Sequence, residues 1–122
     1  MFEGIDEVRN FRKKYNYKMF TSGVSTFREF DELEEKTLQS GALDRKYKEL
    51  IGLAASIVSI CYGCVEFHTT QAVACGATRE EIAETVAVAL MMGGGPAQWP
   101  ARYAFKVLDD LASHQKQTAG AE

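Results

Sequence analysis

"SIVSICYGCVEFH", Ser56 to His68, is the stretch whose reading decides the fold. Apolar residues run into it without a break, so helical periodicity alone would carry one helix straight through. On such a helix Glu49, twelve residues before Cys61, would stand about 18 Å away from it, out of chemical reach. A reversal changes this. The midpoint between Glu49 and His68 falls at Val58–Ser59, and a turn there sets the two side chains side by side. Ser59 is then expected to cap the new helix, with Cys61 in its first turn, where a helix N-terminus lowers a thiol's pKa. The run "SIVSIC" holds neither glycine nor proline to announce the turn.

Outward from this point the signals are helical. Asp44 is a suitable N-cap for a helix opening "RKYKELIGLAAS", and Gly76 is placed to end the helix that carries the cysteines. "TREE", Thr78 to Glu81, reads as a capping box opening "EIAETVAVALMM", which Gly93 to Gly95 and Pro96 close. A last helix is expected from about Pro100 to His114, with residues 115–122 as a frayed tail. Upstream, helices are expected over about Glu3–Tyr15 and Ser25–Gln39. The second sets Phe27, Phe30, Leu33, Thr37 and Leu38 on one side and stops at Gly41. Long apolar/polar alternation and Asn-Gly or Asp-Gly hairpin signals are absent. The expected fold class is all-α, a single domain of about six helices over residues 1–122.

Composition narrows the function. A length of 122 residues suits one domain, and 46% apolar with 25% charged residues is ordinary for a globular chain. A net charge of −3 offers no broad basic surface, so nucleic-acid partners are not expected. The basic runs Arg12–Lys14 and Arg45–Lys48 read as helix-surface decoration. The start "MFEGIDEVRN" lacks the basic and apolar segments of a secretory signal, and the most apolar run, Leu50 to Val65, is shorter than a membrane span. The expectation is a soluble cytoplasmic protein without a membrane partner. The helix Glu81–Met92 is apolar on most of its circumference, which favours burial between subunits, with a central core helix as the alternative.

Within the cluster, Cys61, Cys64 and His68 project from one narrow stripe of a helix. Cysteines three apart can form a redox pair, and a histidine one turn on can take the thiol proton. Glu49 would orient that histidine. Two alternatives stand beside this reading: buried core thiols, or a zinc site using Cys61, Cys64, His68 and Glu49. Three cysteines in such a chain do not suggest a structural disulfide framework. Cys75 reads as packing and His114 as solvated. Met91, Met92 and Trp99 read as core or interface, and "GGGP" lacks the lysine of a phosphate loop.

The segment "ELIGLAASIVSICYGCVEFHTTQAVACGATREEIAETVAVALMMGGGPA" resembles the carboxymuconolactone decarboxylase-like superfamily, in particular its AhpD-like alkylhydroperoxidase branch. The pattern is a glutamate, eleven residues, then Cys-x-x-Cys-x-x-x-His, met by Glu49, Cys61, Cys64 and His68; the likeness runs from about Asp44 to Asp110. It implies a peroxidase in which Cys64 attacks the hydroperoxide, Cys61 resolves, and His68 with Glu49 relays protons. It further implies no metal or organic cofactor, an external dithiol or redox-protein reductant, and a homo-oligomer, trimeric or hexameric. One position departs: studied alkylhydroperoxidases carry a second histidine directly before the second cysteine, where this chain has Gly63. A general thiol–disulfide reductase, or a non-catalytic zinc- or ligand-binding module, are the alternatives.

Overall fold

A computed structural model describes residues 4–121, with side chains through residue 117. Six α-helices occur among the described residues: α1 Ile5–Phe20, α2 Thr26–Leu38, α3 Arg45–Val58, α4 Tyr62–Ala74, α5 Arg79–Gly93 and α6 Gln98–Ala121, with a 3₁₀ turn Gly95–Ala97 before α6. The all-α class follows, with no strand among the described residues. α1 runs five residues past its expected end at Tyr15. α6 starts two residues before Pro100 and continues beyond His114, so the stretch expected to fray is helical to Ala121. Nothing in "SHQKQT" stops a helix, since it holds neither glycine nor proline. Glu122, the last residue of that expected tail, lies outside the described residues.

α3 and α4 form an antiparallel hairpin, the most extensive helix pair of the fold; α5 packs on α3 and α6 on α4. Leu53 and Ile57 of α3, Val65 of α4, Ile82 of α5, and Ala104 and Val107 of α6 are all inaccessible to solvent. Deep burial of each of the larger side chains, Ala104 excepted, contributes roughly 1.5–3 kcal/mol. α1 touches this core through Ile5 at its first turn, whereas α2 buries no residue at all.

The α3–α4 reversal falls at Ser59–Cys61 and is built without glycine. The Cys61 N–H donates to the Ser56 carbonyl and the Ile60 N–H to the Ile57 carbonyl, the two bonds of a Schellman motif. Its left-handed position is Ile60, at φ +59°. A β-branched residue there is strained by roughly 1–2 kcal/mol. The end of α4 repeats the same motif, Ala77 to Ala72 and Gly76 to Val73, with Gly76 at φ +94° in the left-handed place. Ser59 does not cap α4. Its hydroxyl bonds back to the Ala55 carbonyl, closing α3, and Cys61 is the N-cap instead.

α5 opens as its sequence implies. Thr78 Oγ1 accepts from the Glu81 N–H, and the Glu81 carboxylate accepts from the Thr78 N–H. That N–H, together with Lys46, holds the Glu81 carboxyl below the usual carboxylate range. The basic run at the start of α3 is structural rather than decorative. Arg45 makes a two-pronged ion pair with Glu35 of α2, drawing that carboxyl downward, and Lys48 Nζ donates to the Thr37 and Gln39 carbonyls at the end of α2. Lys46 reaches Glu81 of α5 at 3.0 Å. No described helix is long and apolar enough to cross a membrane.

Candidate active site

Cys61 and Cys64 are joined as a disulfide, their Cα atoms 5.2 Å apart. The spacing follows from the turn: Cys61 is extended backbone at the N-cap and Cys64 is the third residue of α4, so one helical turn folds the two sulfurs together. Cys61 Sγ also accepts the Cys64 N–H at 3.2 Å, one of the unpaired donors of a helix start. A thiolate formed here meets the positive end of α4. Cys75, at the far end of α4, is unbridged.

His68 lies one turn beyond Cys64, and its Nδ1 is 3.1 Å from Oε1 of Glu49 on α3. Glu49 is fully buried, while His68 keeps a small exposed edge. With the carboxylate accepting a hydrogen bond from Nδ1–H, Nε2 is left as the lone-pair nitrogen of a neutral imidazole. The other carboxylate oxygen of Glu49 has no hydrogen-bond partner among the described residues. Buried charge so placed leans heavily on its single histidine partner.

The approach is possible because α3 carries glycine where the ring crosses it. A Cβ at Gly52 would stand 2.8 Å from His68 Nδ1, inside any tolerable contact. Phe67 meets His68 edge-on at 5.3 Å and completes the ring's setting.

The sulfurs and His68 open into a groove of about 840 Å³ between α4 and the α1–α2 hairpin. Its walls are largely aromatic and aliphatic, including Phe11, Tyr15, Phe27, Phe30 and Phe67. Such size and lining are those of a small-molecule site. The structure therefore brings Cys61, Cys64 and His68 to one groove and sets Glu49 behind the histidine. Among the described residues no three His, Cys, Asp or Glu side chains are arranged to hold a metal ion.

A second cluster, missed in the sequence, flanks the first. Glu66 sits between Cys64 and His68 in the chain, is 1% exposed, and takes Arg9 Nε at 2.9 Å and Arg12 Nη2 at 3.4 Å. Arg12 also donates to the Gly63 carbonyl at 3.0 Å and lies over the Phe67 ring. The run Arg12–Lys14 is thus not uniformly surface decoration. An acidic residue between Val65 and Phe67 on an apolar helix was the available signal, since a buried carboxylate demands a cation.

Comparison with known proteins bears on the family and the fold. The model of the carboxymuconolactone decarboxylase family matches residues 25–110, reaching back through α2 beyond the Asp44 start seen by motif. An uncharacterized protein of Cupriavidus necator is 43% identical over 79 residues, 65% of this chain and 67% of that protein. An uncharacterized protein from the cox locus of Paracoccus denitrificans is 38% identical over 90 residues, 74% of this chain and 81% of that one. Among solved structures, a Thermotoga maritima protein of the same family, described with a possible role in antioxidative response, superposes with a TM-score of 0.84 at 33% identity, covering 92% of this chain and 95% of that one. A Legionella pneumophila family protein in its apo form gives a TM-score of 0.65 at 35% identity, over 87% of this chain and 88% of that one.

Proposed function

Since the chain belongs to the carboxymuconolactone decarboxylase family, we propose that it is a thiol-dependent peroxidase of the AhpD-like kind, reducing alkyl hydroperoxides through Cys64 and Cys61. The observation that carries this reading is the Cys61–Cys64 disulfide beside a histidine tied to a buried carboxylate, at the end of an apolar groove. The antioxidative role suggested for the Thermotoga relative points the same way.

In the reaction, the Cys64 thiolate attacks the terminal oxygen of the hydroperoxide. An S–O bond forms, the O–O bond breaks, and the alkoxide leaves as alcohol on taking a proton from His68. Cys64 is now a sulfenic acid, oxidised by two electrons. Cys61 attacks its sulfur, the S–S bond forms, the S–O bond breaks, and water departs. An external dithiol returns the two electrons. Glu49 steadies the imidazolium that forms while His68 carries the proton. No metal or organic cofactor enters these steps.

Assembly as a homo-oligomer, trimeric or hexameric, belongs to the same proposal. α2 buries nothing within its own chain, and Val88, Met91 and Met92 of α5 are more than half exposed, which supports burial against further copies.

The test separates the cysteines. With one equivalent of an organic hydroperoxide, Cys61→Ser accumulates a sulfenic acid trappable at Cys64, whereas Cys64→Ser forms none. Equal behaviour of the two variants would overturn the assigned roles. A dithiol that ignores hydroperoxides yet reduces a disulfide substrate would make the protein a general thiol–disulfide reductase.

A further inference from the structure

We propose that Arg12 is a positioning residue for the Cys61–Cys64 dithiol, supplying from α1 the standing positive charge that favours its thiolate form. The inference rests on the reading above that the pair cycles between dithiol and disulfide.

Three contacts place the guanidinium. It donates to the carbonyl of Gly63, the residue immediately before Cys64. It lies 5.3 Å from the centre of the Phe67 ring, which in turn meets His68. It shares the carboxylate of Glu66 with Arg9. Arg12 and both cysteines line the same groove.

Charge counting gives these contacts their meaning. Two guanidiniums on one carboxylate leave one positive charge over, beside the N-terminus of α4. A guanidinium stays charged at every pH at which thiols titrate. The other ionisable groups facing the groove do not supply this charge. From α1 come Glu7 and the phenol of Tyr15, and from α2 come Asp31, Glu34 and Glu35, none of them cationic. His68 on α4 is paired with Glu49 on α3, so that couple carries no net charge when the histidine is protonated. Among the described residues Arg12 is therefore the permanent cation lining the groove, and it is bonded to the cysteine turn.

A guanidinium held on the carbonyl before Cys64, at the start of the same helix, favours the thiolate of a neighbouring cysteine.

The experiment measures alkylation of the reduced protein by iodoacetamide against pH, with peptide masses reporting Cys61 and Cys64 separately from Cys75. Arg12→Gln is expected to lower the rate at the pair about five- to tenfold near neutral pH and displace its profile upward. Arg12→Lys keeps a rate close to the unaltered protein. Glu66→Gln, which leaves both guanidiniums without their counter-ion, moves the rate the opposite way and quickens it. A merely structural role for this cluster would make Arg12→Gln and Glu66→Gln fail alike. Should Arg12→Gln not fold, the lysine and Glu66 variants carry the test. An Arg12→Gln profile equal to that of the unaltered protein, or slowing in Glu66→Gln, overturns the proposal. Because thiol alkylation is read without any peroxide, a protein inert to hydroperoxides would sink the peroxidase reading and leave this comparison intact.

Discussion

The α3–α4 hairpin and the α1–α2 hairpin face each other across the groove and are held by different forces. α3 and α4 bury Leu53, Ile57 and Val65 completely, and they hold Glu49 against His68 inside that apolar packing. α1 and α2 contribute one buried residue between them, Ile5, and are fastened by ions: Arg9 and Arg12 to Glu66, Arg45 to Glu35, Lys48 to the end of α2. Packing in a core is dense and sets geometry tightly, whereas an exposed pair such as Arg45–Glu35 is individually weak, and only the pairs to buried Glu66 hold α1 more firmly. Cys61, Cys64 and His68 therefore sit on the densely packed side of the groove, and the opposite wall has the least apolar burial behind it.

The contrast is sharpest for truncations. Leu53→Ala is expected to cost about 2–5 kcal/mol in urea unfolding, as a completely buried leucine should. Phe30→Ala, at a side chain 70% exposed on α2, is expected to change stability by less than about 0.5 kcal/mol. Comparable losses at the two sites would erase the distinction.

Gly52→Ala comes next. Alanine is the better helix former by about 1 kcal/mol. Here its Cβ would run into the His68 ring, and overpacking of this kind costs about 1–3 kcal/mol. Net destabilisation in unfolding, with thiol oxidation slowed as far as in His68→Ala, is the expected pair of results. A stabilised variant of unchanged rate would mean that His68 does not depend on this approach.

A smaller effect, of opposite sign, is expected at the turn. Ile60→Gly relieves a left-handed isoleucine that is itself 46% exposed, so little burial is lost. Set against the extra freedom of glycine in the unfolded chain, a gain of about 0.5–1 kcal/mol is expected by thermal melting. A loss would show that the isoleucine is held there by packing.

The smallest effect concerns acid. Glu81 titrates below the ordinary glutamate value of 4.5 because it accepts the Thr78 N–H and meets Lys46. A carboxyl depressed by folding stabilises the fold above its unfolded value, and that contribution fades as pH falls through the lowered one. Melting temperatures of Glu81→Gln should accordingly fall less steeply below pH about 4.5 than those of the unaltered chain. Parallel curves would remove Glu81 from the account.

The same division explains what the sequence discloses. Glu49, Cys61, Cys64 and His68 are legible because their spacing is local: once the chain reverses near Ser59, helix geometry brings Glu49 to His68. Thr78 and Glu81 are legible for the same reason, each being the other's partner across three residues. The turn itself is hidden because Ile60 occupies a place where glycine is the usual sign, while the matching turn at Gly76 displays it. Ser59 misleads by being a good cap that closes the preceding helix. Arg12 is hidden for another reason: its contact with Gly63 spans 51 residues, and a basic run on a first helix looks the same whether solvated or engaged. Burial of Glu66 is what tells them apart, and burial is a property of the fold.

The most direct test of the central claim is the mass spectrum of the fully reduced protein before and after one equivalent of an organic hydroperoxide, with fragmentation to locate any bridge. The account predicts rapid loss of two hydrogens as a Cys61–Cys64 disulfide, with Cys75 left as a thiol. Unchanged thiols, or a bridge drawn indiscriminately from Cys75, would contradict it.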